Sequence, residues 1–503
     1  MSAQGDSPAP HAGSVQSVDR LKAHQLGVVE LVVTSASYTA PAMSLFFAVA
    51  VMAGSVGLHI GAAFIVAAIG IFCTASAIVQ FSKKIPSAGS FQTFIARSLG
   101  PEQSFWIAIC LVVGYILLQA GVITIFGWWT TNWINHYVGV NIPWQIFAVL
   151  GTVGFGYLMI RGVSISTKLT VALYVIEFFI IAALGVVILA EGAPTGHGVS
   201  ASPLLPGSFS SAGIKPLFLA IVFSVYCFIG FEGAASYAEE TSNPRRNIPL
   251  ALMSAVGIIA GLYIFSGWTT ALGFRSGAEM AASTSPYLTL GQHYLGFLVI
   301  IIYICGFTST ASNIMSAGNA NIRILFNCGR ERFLPKFLGH VHATHRTPDY
   351  ATIFFLGMCL ILSLVASIWW DGLVIYALWS GLGALLCIIA YLASNLGVGV
   401  YFYRHWRSEF AILTHVILPV IAIAVWGYTL YDSLKPAPFP ANVYPWGLGG
   451  VVACSIIYLL IKRRRDPEVV RNIGSIITNV DMEGAVFEEG AAEIGGEAVE
   501  LGK

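Results

Sequence analysis

The sequence predicts an all-α polytopic membrane protein with twelve transmembrane helices, and three observations carry the prediction. Charged residues make up only 10% of the 503, against roughly 25% in soluble domains, and the mean hydropathy is +0.78. Twelve stretches stay apolar over the roughly 20 residues that a helix needs to cross a bilayer. They centre near Ser37, Ile69, Leu117, Thr152, Ile180, Cys227, Ile259, Cys305, Leu360, Ile388, Ile421 and Ser455. On that count, all but three of the 25 Lys and Arg fall at the N-terminus, in the even-numbered loops or after the last span. Lys215, Arg275 and Lys435 are the exceptions. One miscounted span would exchange the sides of every later loop and destroy this asymmetry. By the positive-inside rule it also predicts two cytoplasmic termini, in a protein of the plasma membrane.

Residues 1–25 are polar and lack the short apolar core of a signal peptide, so a cytoplasmic segment is expected ahead of a twelve-helix domain at 26–465. The stretch from Ala193 to Gly213, rich in Gly, Pro and Ser, reads as an external connector. Residues 466–503 lose apolar periodicity and carry Glu483, Glu488, Glu489 and Glu493, so a disordered, acidic cytoplasmic tail is expected. The net charge is +1 and the positive residues serve topology, which speaks against nucleic acid as a partner and leaves the lipid bilayer and a small molecule. Eight cysteines scattered through apolar spans imply no disulfide framework. His340, His342 and His345 lack further Cys or acid partners, so no metal site is expected. Trp128, Trp129 and Trp133 read as an interfacial aromatic belt at the external end of the third span. No paired nucleophile and base stands out, so no enzymatic activity is expected.

The chemistry concentrates at two interruptions. From Phe223 to Pro249 the chain reads FSVYCFIGFEGAASYAEETSNPRRNIP, which places Glu232 inside an apolar run between Gly230 and Gly233. A carboxylate is costly at membrane depth, and glycine lets a helix break and turn its backbone toward a ligand. The first span reads VVTSASYTAPAMSLF from Val32 to Phe46, where Pro41 removes a backbone donor and Ser35, Ser37 and Thr39 can satisfy freed carbonyls. Two such breaks, each opening a five-helix half, fit an inverted repeat over about 26–190 and 216–403, with two further helices at about 410–462.

Three segments resemble the amino acid-polyamine-organocation (APC) permeases. They are IPSAGSFQTFIARSLG from Ile85 to Gly100, FIGFEGAASYAEETSNPRRNIP in the sixth span, and NANIRILFNCGRERFLPKFLGHVHATHRTP from Asn319 to Pro348. The resemblance implies a five-plus-five, LeuT-like fold and movement of an amino acid or amine by alternating access, in symport or exchange. It also implies a site. The substrate carboxylate would rest on amides around Ser35, Ala36, Ser37, Tyr38 and Thr39, and the ammonium on carbonyls of Tyr226, Cys227, Phe228 and Ile229 beside Gly230. This chain has Ser35-Ala36-Ser37 where the family has a Gly-Ser-Gly-like core, which leaves amines, amides and other small organic molecules open as substrates. Tyr226 is read either as a lid over the substrate or as a packing residue.

Glu232 has two readings, a proton-coupling acid or an acceptor that ties neighbouring helices. Glu177 lies in the fifth span, where some members carry a lysine that replaces sodium. Ser309, Thr310 and Ser312 could instead offer hydroxyls to sodium, or bond their own helix. The coupling ion, H+ or Na+, stays open, as does an ion-conducting or receptor-like role on the same scaffold. Glu239 and Glu240, close to Arg245 and Arg246, read as an inner charge network that opens and closes.

Overall fold

A computed structural model describes residue 21 and residues 25–192, 198–206, 215–479 and 486–489. The expected N-terminal segment, much of the 193–213 connector and the tail beyond Glu489 lie outside the described residues. Twelve helical segments are long and apolar enough to cross a membrane. Spans 1–5 are Val28–Val56, Ile60–Lys84, Pro101–Val138, Trp144–Arg161 and Val163–Glu191. Spans 6–10 are Ala220–Tyr237, Pro244–Leu272, Pro286–Arg330, Asp349–Ala366 and Gly372–His405, and spans 11 and 12 are Leu413–Ser433 and Ala441–Arg465. Each predicted centre falls inside its span. Lys83, Lys84, Arg330, Arg404 and Arg463 to Arg465 close spans 2, 8, 10 and 12 at one end of the bundle, here called the basic end.

The packing shows the repeat. Span 2 packs on span 7; span 3 packs on span 10 as span 8 packs on span 5; span 3 meets span 4 as span 8 meets span 9. Likewise the first part of span 1 lies on span 7, and the first part of span 6 on span 2. Exchanging each span for the one five places away turns this set of neighbours into itself. Because five is odd, the second half enters the membrane from the opposite face. Spans 11 and 12 pack on the outside, against spans 10 and 2 and against span 3.

Both opening spans are broken. In span 1 the helix 1a (Val28–Tyr38) stops, Ala40 adopts a left-handed conformation with φ 45 and ψ 63, and helix 1b starts at Pro41 and runs to Val56. Proline suits the first helical position because its missing N–H would be unpaired there anyway. In span 6 the helix 6a (Lys215–Cys227) gives way at Gly230, with φ 109, to a tight 3-10 run, 6b, over Phe231–Tyr237. Span 1 starts at the basic end and span 6 finishes there, where Gln25 and Leu26 donate backbone N–H groups to Glu240 O.

Two expectations need correction. Trp129 is not part of a surface belt: it is buried against Phe46 and Tyr303 and donates its indole N–H to Tyr303 O at 2.9 Å. The tail is ordered in its first part. A short helix, Pro467–Arg471, follows span 12, Val470 and Ile473 are buried, and Ile476–Asn479 pairs antiparallel with Val486–Glu489. The Gly474 N–H donates to both Glu331 oxygens at 3.0 and 3.1 Å, Arg97 Nε donates to Gly474 O and Ser87 Oγ to Ile476 O. Averaging composition over 466–503 hid the apolar residues that dock this piece against the basic end.

Candidate functional site

The two breaks meet at a cavity of about 680 Å³. Tyr38, Thr39 and Ser44 line it from span 1, and Tyr226, Cys227 and Ile229 from span 6. Span 3 adds Gln119, span 8 adds Asn313 and Asn321, and span 10 adds Tyr376 and Ser380. Asp432, Ser433 and Lys435, at the end of span 11 remote from the basic end, stand at its mouth. The cavity therefore opens away from the basic end. Tyr226 and Ser433 share a 2.7 Å hydroxyl contact across that mouth.

Toward the basic end the path is shut by buried charge. Glu240 accepts from Arg323, and Glu239 accepts from Arg330, all four side chains almost fully enclosed. The Arg323 guanidinium also lies 4.3 Å from the centre of the Tyr237 ring. The sequence reading set Glu239 and Glu240 in an inner charge network beside Arg245 and Arg246; the ion pairs found for these two acids run to Arg323 and Arg330 of span 8. Breaking one partner of a buried pair leaves an uncompensated charge, so these contacts give a definite closed state.

The predicted site residues divide into three groups. Tyr38, Thr39, Tyr226, Cys227 and Ile229 line the cavity. Ser35, Ala36 and Ser37 do not: the break falls at Thr39 and Ala40, so these three remain helical and buried, and Ser35 Oγ accepts from the Ala234 N–H at 2.8 Å. The sequence reading spread the break over Ser35 to Pro41 and set the substrate amides at Ser35 to Thr39; the backbone turns only at Thr39 and Ala40, beside the proline. Phe228, Gly230 and Glu232 are likewise not in the lining, and Gly230 lies against the Tyr38 ring. The Tyr38 ring fills the space beside two glycines, since a Cβ on Gly230 would come within 2.4 Å of it and one on Gly233 within 2.8 Å. Its hydroxyl donates to Asn321 Oδ1, and Asn313 Nδ2 donates to Tyr38 O.

Glu232 is enclosed as an acceptor. Tyr115 Oη donates to Oε1 at 3.0 Å and the Gly230 N–H to Oε2 at 3.1 Å, which ties the span 6 break to span 3. Glu177 reaches from span 5 to the other break, where its Oε1 accepts from the Ala42 N–H at 2.7 Å. A carboxylate at the N-terminus of helix 1b is also favoured by the helix dipole. Glu177 Oε2 is buried with no hydrogen-bond partner. Of the candidate sodium hydroxyls, Thr310 and Ser312 donate to carbonyls of their own helix, and Ser309 Oγ accepts from the Met43 N–H at 3.5 Å.

Sequence reasoning passed over Gln119, Asn313 and Asn321. The signal was present for Gln119, a lone carboxamide in the apolar run YILLQAGVITIF. Asn313 and Asn321 stand eight residues apart, close to one face of span 8.

Comparison with known proteins agrees with this architecture. The family model described as amino acid permease matches residues 28–467. The branched-chain amino acid permease BcaP of Bacillus subtilis (strain 168) is 24% identical over 324 residues, 59% of this chain and 66% of the relative. The low-affinity putrescine importer PlaP of Escherichia coli (strain K12) is 26% identical over 342 residues, 67% of this chain and 74% of the relative. Human cationic amino acid transporter 4 is 24% identical over 309 residues, 58% of this chain and 47% of the relative. The match thus spans just under two thirds of BcaP and about half of the human protein. With its twelve spans, paired breaks and a family match from the first span to the last, the chain belongs to the amino acid permeases of the APC superfamily.

Proposed function

We propose that the protein is a secondary active transporter of amino acids or related amines, working by alternating access in the plasma membrane with its basic end and both termini in the cytoplasm. One observation carries the reading: a cavity at the level of two opposed helix breaks opens to one end only and is closed at the other by buried ion pairs. A site enclosed between two mobile halves, accessible from one side at a time, is what alternating access requires. The names of the relatives support the substrate range, since they include an amino acid permease and a putrescine importer. The position of the Lys and Arg supports the sidedness.

For coupling, the geometry favours a proton carried by Glu177. Its Oε1 is held by the Ala42 N–H in either protonation state, while the unpartnered Oε2 is free to take a proton. Glu232, with both oxygens bonded, reads as the structural acceptor. The test is uptake of labelled substrate into proteoliposomes holding the purified chain. Accumulation that collapses with the ion gradient supports a coupled transporter; flux that only equilibrates would instead indicate a channel-like protein. Loss of the pH dependence of uptake in Glu177→Gln, with the dependence kept in Glu232→Gln, would support the coupling assignment, and the reverse pattern would remove it.

A further inference from the structure

Beyond the last span the chain turns back onto the basic end. The helix Pro467–Arg471 packs on span 3, and Val470 and Ile473 are buried. Gly474, at φ 75, lies against the short helix Phe91–Leu99 between spans 2 and 3, where an added Cβ would come within 2.5 Å of Ala96 Cβ. Arg97 Nε donates to Gly474 O at 3.0 Å, and Ser87 Oγ donates to Ile476 O at 2.8 Å. In the other direction, the Gly474 N–H donates to both oxygens of Glu331, the residue that ends span 8. Residues 467–476 therefore tie the link after span 2, in the first half of the repeat, to the end of span 8, in the second half.

Glu331 is poorly placed for an acid. It sits at the C-terminal end of a helix, where the dipole disfavours negative charge, and it is only 8% exposed. It also follows directly on Arg330, whose guanidinium holds Glu239 and so helps to shut the path. Its donors are the Gly474 N–H and Gln92 Nε2. If the tail lifts away, the backbone donor goes with it, and the enclosed cation beside Glu331 is Arg330, since Arg332 is exposed. An enclosed carboxylate that has lost a donor gains from a new partner, so Glu331 then competes with Glu239 for one guanidinium. Docked, the tail occupies Glu331 and leaves Arg330 to Glu239. The docking contacts are few and each is modest, so the tail can leave while the bundle stays folded.

We propose that residues 467–476 form a releasable strap that holds the basic end shut, acting through Glu331 on the Arg330–Glu239 pair. This rests on the alternating-access reading. With the strap docked, the state open away from the basic end is favoured; its release lets the end of span 6 part from span 8. Glu331 is a positioning residue and stands outside the cavity lining.

The experiment measures amide hydrogen exchange in the purified full-length chain in nanodiscs and compares it with a chain ended after Asp466 and with full-length Gly474→Val. Valine at 474 meets Ala96 and is strained at positive φ, so it undocks the strap without deleting it. In both variants the amides of residues 231–240 are expected to exchange roughly tenfold or more faster, while those of residues 431–435 at the mouth stay level or slow down. Adding Glu331→Gln to the chain ended after Asp466 is expected to restore slow exchange, because a neutral carboxamide does not draw Arg330 from Glu239. Unchanged exchange at 231–240 in both variants, or faster exchange confined to Phe91–Leu99 where the tail lay, would overturn the strap. Faster exchange in all spans alike would mark a part needed for folding and overturn the gating role. Failure of Glu331→Gln to restore slow exchange would overturn the route through Glu331. No substrate enters this measurement, so its failure leaves the transporter reading intact, whereas uptake that only equilibrates in proteoliposomes removes that reading whatever the exchange shows.

Discussion

The two breaks solve the same problem in opposite ways. Each leaves backbone N–H groups inside the membrane, and each ends on a carboxylate. In span 6 the carboxylate is local: Glu232 turns back to the Gly230 N–H two residues away, and glycine takes the positive φ. In span 1 the break has no acid and no glycine. An alanine takes the left-handed conformation, and the acceptor for Ala42 arrives from Glu177, 135 residues later in the chain. In span 6 the acid that caps the break travels with the break itself, although Tyr115 of span 3 also holds it. A borrowed acid makes the break in span 1 depend on where span 5 stands, so movement of span 5 and opening at span 1 are linked.

That contrast can be broken from either side. The largest effect is expected for Gly230→Ala, where a Cβ at positive φ would also meet the Tyr38 ring. Strain of about 1–3 kcal/mol adds to the clash, and loss of uptake with a clearly lowered melting temperature is expected. Next comes Glu177→Ala, which leaves the buried Ala42 N–H unpaired at about 1–3 kcal/mol. Glu177→Gln keeps an acceptor and should recover most of that stability, measured as the melting temperature in detergent; equal losses in both would show that charge, rather than the hydrogen bond, holds the break. Tyr115→Phe removes one of two donors to Glu232 and should lower stability by about 1 kcal/mol while uptake persists, since Gly230 still holds the carboxylate. The smallest effect is expected for Ala40→Gly. Relief of a left-handed alanine offsets the added backbone entropy of glycine, so the change should stay within about 1 kcal/mol. A large loss there would mean that Ala40 does more than turn the chain.

The two breaks were not equally legible. Glu232 between two glycines in an apolar run announces itself, because charge and flexible backbone are both unusual at that depth. The first break was visible as a proline beside hydroxyls and was read over Ser35 to Pro41; the backbone turns only at the Thr39–Ala40 part of that stretch, and Ser35 to Ser37 prove to be helical, with Ser35 bracing span 6. Glu177 was visible as a buried acid but not as a cap, since nothing in span 5 states which amide it faces. Gln119 was overlooked because one carboxamide among apolar residues looks unremarkable until its surroundings are seen to hold no partner for it.

By itself the sequence determined the class, the number of spans, the existence of two breaks and the family. These properties are local or additive: in hydrocarbon each segment must satisfy its own backbone hydrogen bonds, so apolar length and the positions of Pro and Gly decide where helices run and fail. Only the tertiary structure decided which polar groups meet. The capping of helix 1b by Glu177, the filling of the Gly230 hollow by Tyr38, the ion pairs that shut the basic end and the unpaired amide of Gln119 all depend on the rotation of one helix against another. That rotation is set by the packing of the whole bundle, and no single segment carries it.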